Sequence, residues 1–172
     1  NDTLLITGAS GGVGSAAIQL AKARGASVIA VAGDKKQQSV RDAGADQALV
    51  RGASLEAALG ENSVNVVIDL VGGEDWPELL TILTPFGRYA VSGAIAGPIV
   101  ELDLRTLYLK DQRFLGCTVL DDGVFSRLVG LIEEGDIKPL LARSFALESL
   151  SEAQAFFLDK QFTGKLVIDM AL

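Results

Sequence analysis

A chain of 172 residues, 49% hydrophobic and 22% charged, is long enough for one domain with a sizeable core. Its formal net charge of −7 argues against a nucleic-acid surface, no apolar run approaches the roughly 20 residues of a membrane span, and no signal peptide opens it. The single cysteine, Cys117, excludes an internal disulfide and fits a reducing, cytoplasmic compartment, and with no histidine a zinc site built from this chain alone is not expected.

Taken in order, the chain alternates strands and helices. Thr3 to Thr7 is a short apolar run suited to a buried strand, and Gly8 to Gly14 is a glycine-rich turn. From Val13 the apolar residues Val13, Ala16, Ala17, Leu20 and Ala21 keep helical spacing, and Gly25 stands where a helix ends. Ser27 to Ala32 reads as a second strand, Lys36 to Ala43 as a helix closed by Gly44, and Gln47 to Val50 as a third strand. A brief helix over Ser54 to Leu59 precedes Val64 to Leu70, whose unbroken apolar character marks a central parallel strand. Trp76 to Leu83 is helical, with Pro77 in its first turn, and Pro85-Phe86-Gly87 turns the chain into a fifth strand, Arg88 to Ser92. Arg113 to Thr118 is the sixth. Val124 to Glu134 is an amphipathic helix ended by Gly135. Ser149-Leu150-Ser151-Glu152 reads as a capping box for a last helix to Lys160, before a final strand, Lys165 to Met170. Alternation of this kind predicts an α/β fold: a doubly wound parallel sheet of about six strands with helices on both faces. The chain begins directly on a strand, which suggests a domain excised from a longer protein.

Strand, glycine turn and helix form the first half of a dinucleotide-binding unit. A pyrophosphate needs backbone N–H groups pointed at it and no side chain in the way, and a helix N-terminus supplies both the donors and a partial positive charge. Here the spacing is Ala9-x-Gly11-x-x-Gly14, with alanine at the first position. Gly11 lets the backbone approach the phosphates, and Gly14 lets the helix lie close on the strand. Ser10, Gly11, Gly12 and Val13 are therefore candidate ligands.

In such sheets a ligand lies beyond the carboxyl ends of the strands. The tips are the glycine turn, Gly33-Asp34, Val71-Gly72, Gly93-Ala94-Ile95 and Cys117-Thr118. Glycine at four of the five fits a flat cofactor held by main-chain groups.

At this point the sequence resembles the nucleotide-binding domain of the medium-chain dehydrogenase/reductase superfamily, in its quinone oxidoreductase and zeta-crystallin branch. The residues that carry the resemblance are GASGGVGSAAIQLAKARGASVIAVAG at 8–33, DAGAD at 42–46, VIDLVGG at 67–73, FGRYAVSG at 86–93, FLGCTV at 114–119 and TGKLVI at 163–168. They run in the family's order over almost the whole chain. The resemblance implies an NADP-dependent oxidoreductase acting on quinones, enones or carbonyl compounds. It also implies a missing catalytic domain, mostly N-terminal to this region, carrying the catalytic residues and any zinc ligands. On that reading the 172 residues alone are inactive. The resemblance further implies a homodimer joined near the sixth strand, expected at the sheet edge, where apolar Phe114, Leu115, Cys117 and Val119 invite pairing.

The glycine turn also fits a short-chain dehydrogenase, but that chemistry needs a Tyr with a Lys four residues on. Gly93 follows Tyr89 at that distance and Gln112 follows Tyr108, so the pair is absent. The later segments argue against a methyltransferase. A dinucleotide-binding sensor without catalysis remains as an alternative.

The cofactor can be read more finely. An NAD-specific site places a carboxylate at the end of the second strand. Here the strand ends Val31-Ala32-Gly33, and Asp34 falls one residue late. A 2′-phosphate needs room, which Gly33 gives, and cations. Lys35 and Lys36 open the next helix, where they oppose its dipole, and Arg51 follows the third strand. This favours NADP, with NAD as the alternative should Asp34 be the ribose ligand. Cys117, inside an apolar strand, reads as core. Asp69 reads as a cap for the loop that follows it. Asp121-Asp122 and Glu133-Glu134 read as solvated charges, and Lys165 as at most a weak contributor to the cofactor site.

Overall fold

The computed structural model describes residues 2–170. Six strands form one parallel sheet in the order β3-β2-β1-β4-β5-β6: β1 (Thr3–Ile6), β2 (Ser27–Ala32), β3 (Gln47–Val50), β4 (Val64–Asp69), β5 (Leu83–Val91) and β6 (Arg113–Gly116). This is the doubly wound arrangement, and its switch point lies between β1 and β4. The helices α1 (Gly12–Ala23) and α2 (Gln37–Asp42) pack on one face, with Ile18, Ala21 and Val40 against Ile6, Val28 and Ala30. On the other face α3 (Leu55–Leu59) and α4 (Trp76–Ile82) set Leu55, Trp76, Leu79 and Leu80 against Leu5, Val67 and Tyr89. The central strands bury side chains on both faces, which is why their sequences are apolar without alternation.

Several local expectations change. The buried face of α1 is Gly14, Ser15, Ile18 and Ala21, while Val13 is exposed, so the apolar stripe read from Val13 is rotated. Alanines flank the true face on both sides and blur its period. A 3-10 turn at Asp34–Lys36 precedes α2. The fifth strand starts at Leu83 rather than Arg88, because Pro85-Phe86-Gly87 is a bulge within it, with Phe86 at φ +60°. An α5 (Leu104–Leu109) that the sequence reading lacked leads into β6, and α6 (Val124–Glu133) follows. Cys117 is not core: β6 stops at Gly116, and the thiol is exposed. β6 is an edge strand, as expected.

The last strand does not join the main sheet. β8 (Lys165–Asp169) pairs in parallel with β7 (Leu141–Ala146), a strand the sequence reading lacked, and α7 (Leu150–Asp159) connects them. The capping box is not formed either. Ser149 belongs to a 3-10 turn and makes no side-chain cap, and Glu152 pairs with Arg143 at 3.0 Å.

Candidate functional site

At the carboxyl ends of β1, β2 and β4 the structure leaves a cavity of about 300 Å³, walled by Thr7, Gly8, Val31, Arg51, Val71, Gly72 and the start of α4. Its position follows from the topology, since the chain leaves β1 and β4 in opposite directions and the tips part.

Gly8 of the glycine turn lines the cavity, and the rest of the turn leads from there into α1. Gly11 is the N-cap of α1 in an extended conformation, and no side chain caps that helix or places an acid in its first turn. Gly12 and Val13 then open the helix with the donors that a helix start leaves free. Gly14 brings the helix onto the turn. A Cβ there would lie 2.5 Å from the Gly8 carbonyl oxygen and 2.6 Å from Ala9 Cα, so no larger residue fits without moving α1. Lys165 lies across the turn from β8, its Nζ 3.0 Å from the position where a side chain on Gly12 would begin. The Ser10 carbonyl takes the Gly164 N–H at 3.3 Å, which holds that strand start beside the turn.

Cations lie after β2 and β3. Arg51 is exposed on the cavity wall. Lys36 is half-buried and donates to the Phe162 carbonyl at 2.7 Å. Burial first, then Arg51 and Lys160, pull the Lys36 ammonium below the ordinary lysine range. Three cations thus gather here, and Lys160 was not among the expected ones. It sits after α7, distant in sequence, with no motif to mark it. Asp34 and Lys35 are exposed on the 3-10 turn that Gly33 opens.

The β4 tip forms one wall of the cavity. Asp69 is fully buried, and every partner donates to it. Oδ1 accepts from Thr7 Oγ1 at 2.6 Å and from the Val71 and Gly72 amides at 3.0 and 3.1 Å, and Oδ2 accepts from the Tyr89 hydroxyl at 2.7 Å. Burial, and the carboxylate beside it, push the Tyr89 phenol above its ordinary value. Asp69 does cap its own loop, as the sequence suggested, but it also spans three strands, which the sequence did not disclose. Gly93, Ala94 and Ile95 follow β5, and Cys117 and Thr118 follow β6, on the same edge of the sheet but outside the cavity wall. Among the described residues no cluster of three His, Cys, Asp or Glu side chains is placed to hold a metal ion, so these residues do not fit a zinc site. No helix among them is long and apolar enough to cross a membrane.

Comparison with known proteins adds to this geometry. Residues 12–134 match the family model described as zinc-binding dehydrogenase. Acryloyl-coenzyme A reductase of Sulfurisphaera tokodaii is 34% identical over 168 residues, covering 97% of this chain and 50% of that protein. Quinone oxidoreductase-like protein 2 of Bos taurus is 34% identical over 185 residues, covering 98% and 53%. The crystal structure of a protein assigned as an alcohol dehydrogenase from Sinorhizobium meliloti superposes with a TM-score of 0.90 at 50% identity, covering 98% of this chain and 48% of that one. The chain spans about half the length of the curated relatives it matches.

Proposed function

We propose, for a chain that belongs to the zinc-binding dehydrogenase family of the medium-chain dehydrogenase/reductase superfamily, that it is the NADP(H)-binding half of an oxidoreductase reducing quinones, enones or carbonyl compounds. The observation that carries the reading is an uncapped helix N-terminus that follows the glycine turn after β1, together with Arg51 on the wall of the neighbouring cavity and Lys36 within electrostatic reach of Arg51. The helix start suits a pyrophosphate and the cations a 2′-phosphate. The cavity offers an adenosine the apolar side chains of Val31, Leu55, Val71 and Leu79, with Glu74, Asp75 and Glu78 at its rim.

In this reading the amides of Gly12 and Val13, with Ser10, bind the pyrophosphate. Gly11, whose own N–H donates to the Gly8 carbonyl at 3.0 Å, lets the backbone approach it, and Lys165 adds a charge beside them. Arg51 and Lys36 hold the 2′-phosphate, with Gly33 giving it room and Lys35 at the rim. Val71 and Gly72 flank the adenosine. Gly93, Ala94, Ile95, Cys117 and Thr118 lie further along the same edge, where they contact the nicotinamide half. The bound dinucleotide supplies the hydride. Residues 1–172 are then one dinucleotide-binding domain, and the substrate-binding half, with any zinc ligands, lies in the remainder of the protein. β6 presents an unpaired edge with Leu115 half-exposed, which suits a homodimer in the cytoplasm.

Titration of the full-length protein with NADPH and NADH tests this. NADPH binds more tightly, and Lys36→Ala or Arg51→Ala each removes about tenfold of that preference, the worth of one charge-assisted hydrogen bond. Gly11→Asp abolishes binding of both, since its carboxylate meets the pyrophosphate. A wild-type preference for NADH would instead make Asp34 the ribose ligand.

A further inference from the structure

Asp69 poses a question that dinucleotide contacts do not answer. A fully buried carboxylate held by neutral donors is costly compared with an apolar residue of similar size. Asp69 ends β4, and its side-chain partners come from the two flanking strands: Thr7 follows β1 and Tyr89 lies in β5. The Thr7 hydroxyl is fully committed, donating to Asp69 and accepting the Leu70 N–H at 2.9 Å.

The consequence falls on the cleft wall. With the Val71 and Gly72 amides turned inward to Asp69, the Val71 carbonyl faces the next loop and accepts the Ala96 N–H at 2.9 Å. Gly72, at φ +62°, comes so close to that loop that a Cβ on it would lie 2.7 Å from the Gly97 carbonyl oxygen. Ser92 N–H donates to the Asp69 carbonyl at 3.0 Å. The carboxylate therefore fixes two successive loops, 70–73 and 92–97, from beneath. Loop 70–73 is part-buried, with Leu70 on the core and main-chain bonds to loop 92–97, and the carboxylate adds the bonds that orient its two central amides.

We infer that Asp69, through Thr7 and Tyr89, is a positioning residue for the dinucleotide: it preorganises the β4 and β5 tips into the wall the cofactor binds against, without touching the cofactor. The inference rests on the reading that a dinucleotide occupies this cleft. Preorganisation lowers the ordering cost of binding, so its loss shows in affinity as well as in stability.

The test uses the full-length protein and NADPH, followed by the fluorescence of the bound nicotinamide and by the thermal midpoint without ligand. Thr7→Val and Tyr89→Phe each delete one donor and keep the side chain's bulk. Each raises the NADPH Kd about tenfold, and each lowers the midpoint by several degrees because a buried carboxylate loses a donor. Thr7→Ser restores the wild-type Kd, because its hydroxyl still reaches Asp69. Wild-type Kd in both donor deletions overturns the inference, even if the midpoint falls, because the network then serves stability alone. A wild-type protein that binds neither NADPH nor NADH removes the functional reading and the inference together.

Discussion

The six-stranded sheet and residues 137–170 bury their apolar side chains by different means. In the sheet Leu5, Ile6, Val28, Val64 and Val67 are closed on both faces by helices. In the C-terminal segment Leu141, Leu147, Phe157, Leu158 and Val167 are 43% exposed or more, and Ile137, Phe145 and Ala153 are its buried apolar residues. A two-stranded sheet does not hold itself together in water. This one leans on the main body through Leu140, which packs on the core beneath α1 and α2, and through polar contacts. Gln19 exchanges two hydrogen bonds with the Lys138 backbone, Ser39 meets Thr163 at 2.8 Å, and Lys36 holds the Phe162 carbonyl. Stability is thus concentrated in the sheet, while two residues of the candidate site, Lys36 and Ser10, are tied to the weaker segment.

The comparison breaks if equal truncations cost the same in both regions. Leu80 is 2% exposed beneath the sheet, and Leu158 is 74% exposed on α7. Leu80→Ala lowers the unfolding free energy by about 2–5 kcal/mol, and Leu158→Ala changes it by about 0.5 kcal/mol or less. Chemical denaturation followed by circular dichroism checks the pair, and similar losses would mean that the C-terminal segment is part of the same cooperative core.

A smaller change sharpens it. Gln19 lies on α1, and its side chain both donates to and accepts from the Lys138 backbone, at 3.0 and 2.8 Å. Gln19→Ala removes both bonds, at about 1 kcal/mol net. Hydrogen exchange quickens in β7 and β8, while the amides of β1 and β4 keep their protection. Equal acceleration throughout would place both regions in one unfolding unit.

The same contrast explains what the sequence disclosed. The sheet was legible because each element there is specified locally. Apolar runs give β1, β2 and β4, and Gly25 and Gly44 stop the helices between them. The glycine turn located one part of the site for the same reason, since its function lies in the backbone. What stayed hidden depends on residues far apart in sequence. β7, from Leu141 to Ala146, carries arginine and serine and alternates poorly, and it becomes a strand only because β8 lies beside it. The fifth strand was cut short because Pro85 and Gly87 signal a turn, while the bulge is held by Phe86 N–H donating to the Lys110 carbonyl at 2.7 Å. Lys160 joins the cations through tertiary placement that no local pattern encodes, and the same kind of placement brings Lys165, read from the sequence as at most a weak contributor, beside the glycine turn. The Asp69 network was invisible for the same reason: Thr7 and Tyr89 lie 62 and 20 residues from the carboxylate they hold.

The remaining expected effect concerns pH. In the proposed reading Lys36 holds the 2′-phosphate as the ammonium, and burial together with Arg51 and Lys160 lowers its pKa in the ligand-free protein. A dianionic phosphate stabilises the charged form, so binding of NADPH raises that pKa and draws a proton onto Lys36 wherever the free site has begun to lose it. The sign follows. NADPH affinity is at its full value below the lowered pKa and falls as pH rises through it, reaching its new level once the pH passes the pKa of the bound state. Arg51 stays charged throughout, so part of the preference survives. NADH lacks the phosphate, and its affinity stays flat over the same interval. The ratio of NADPH to NADH affinity therefore declines on the alkaline side at a lower pH than an ordinary lysine would dictate, by about tenfold at most. Lys36→Arg, whose guanidinium does not deprotonate in this range, flattens the decline. Paired titrations of wild type and variant between neutral pH and the lysine range check it, and a ratio independent of pH in the wild type would assign the phosphate to Arg51 alone and leave Lys36 as the tether of Phe162.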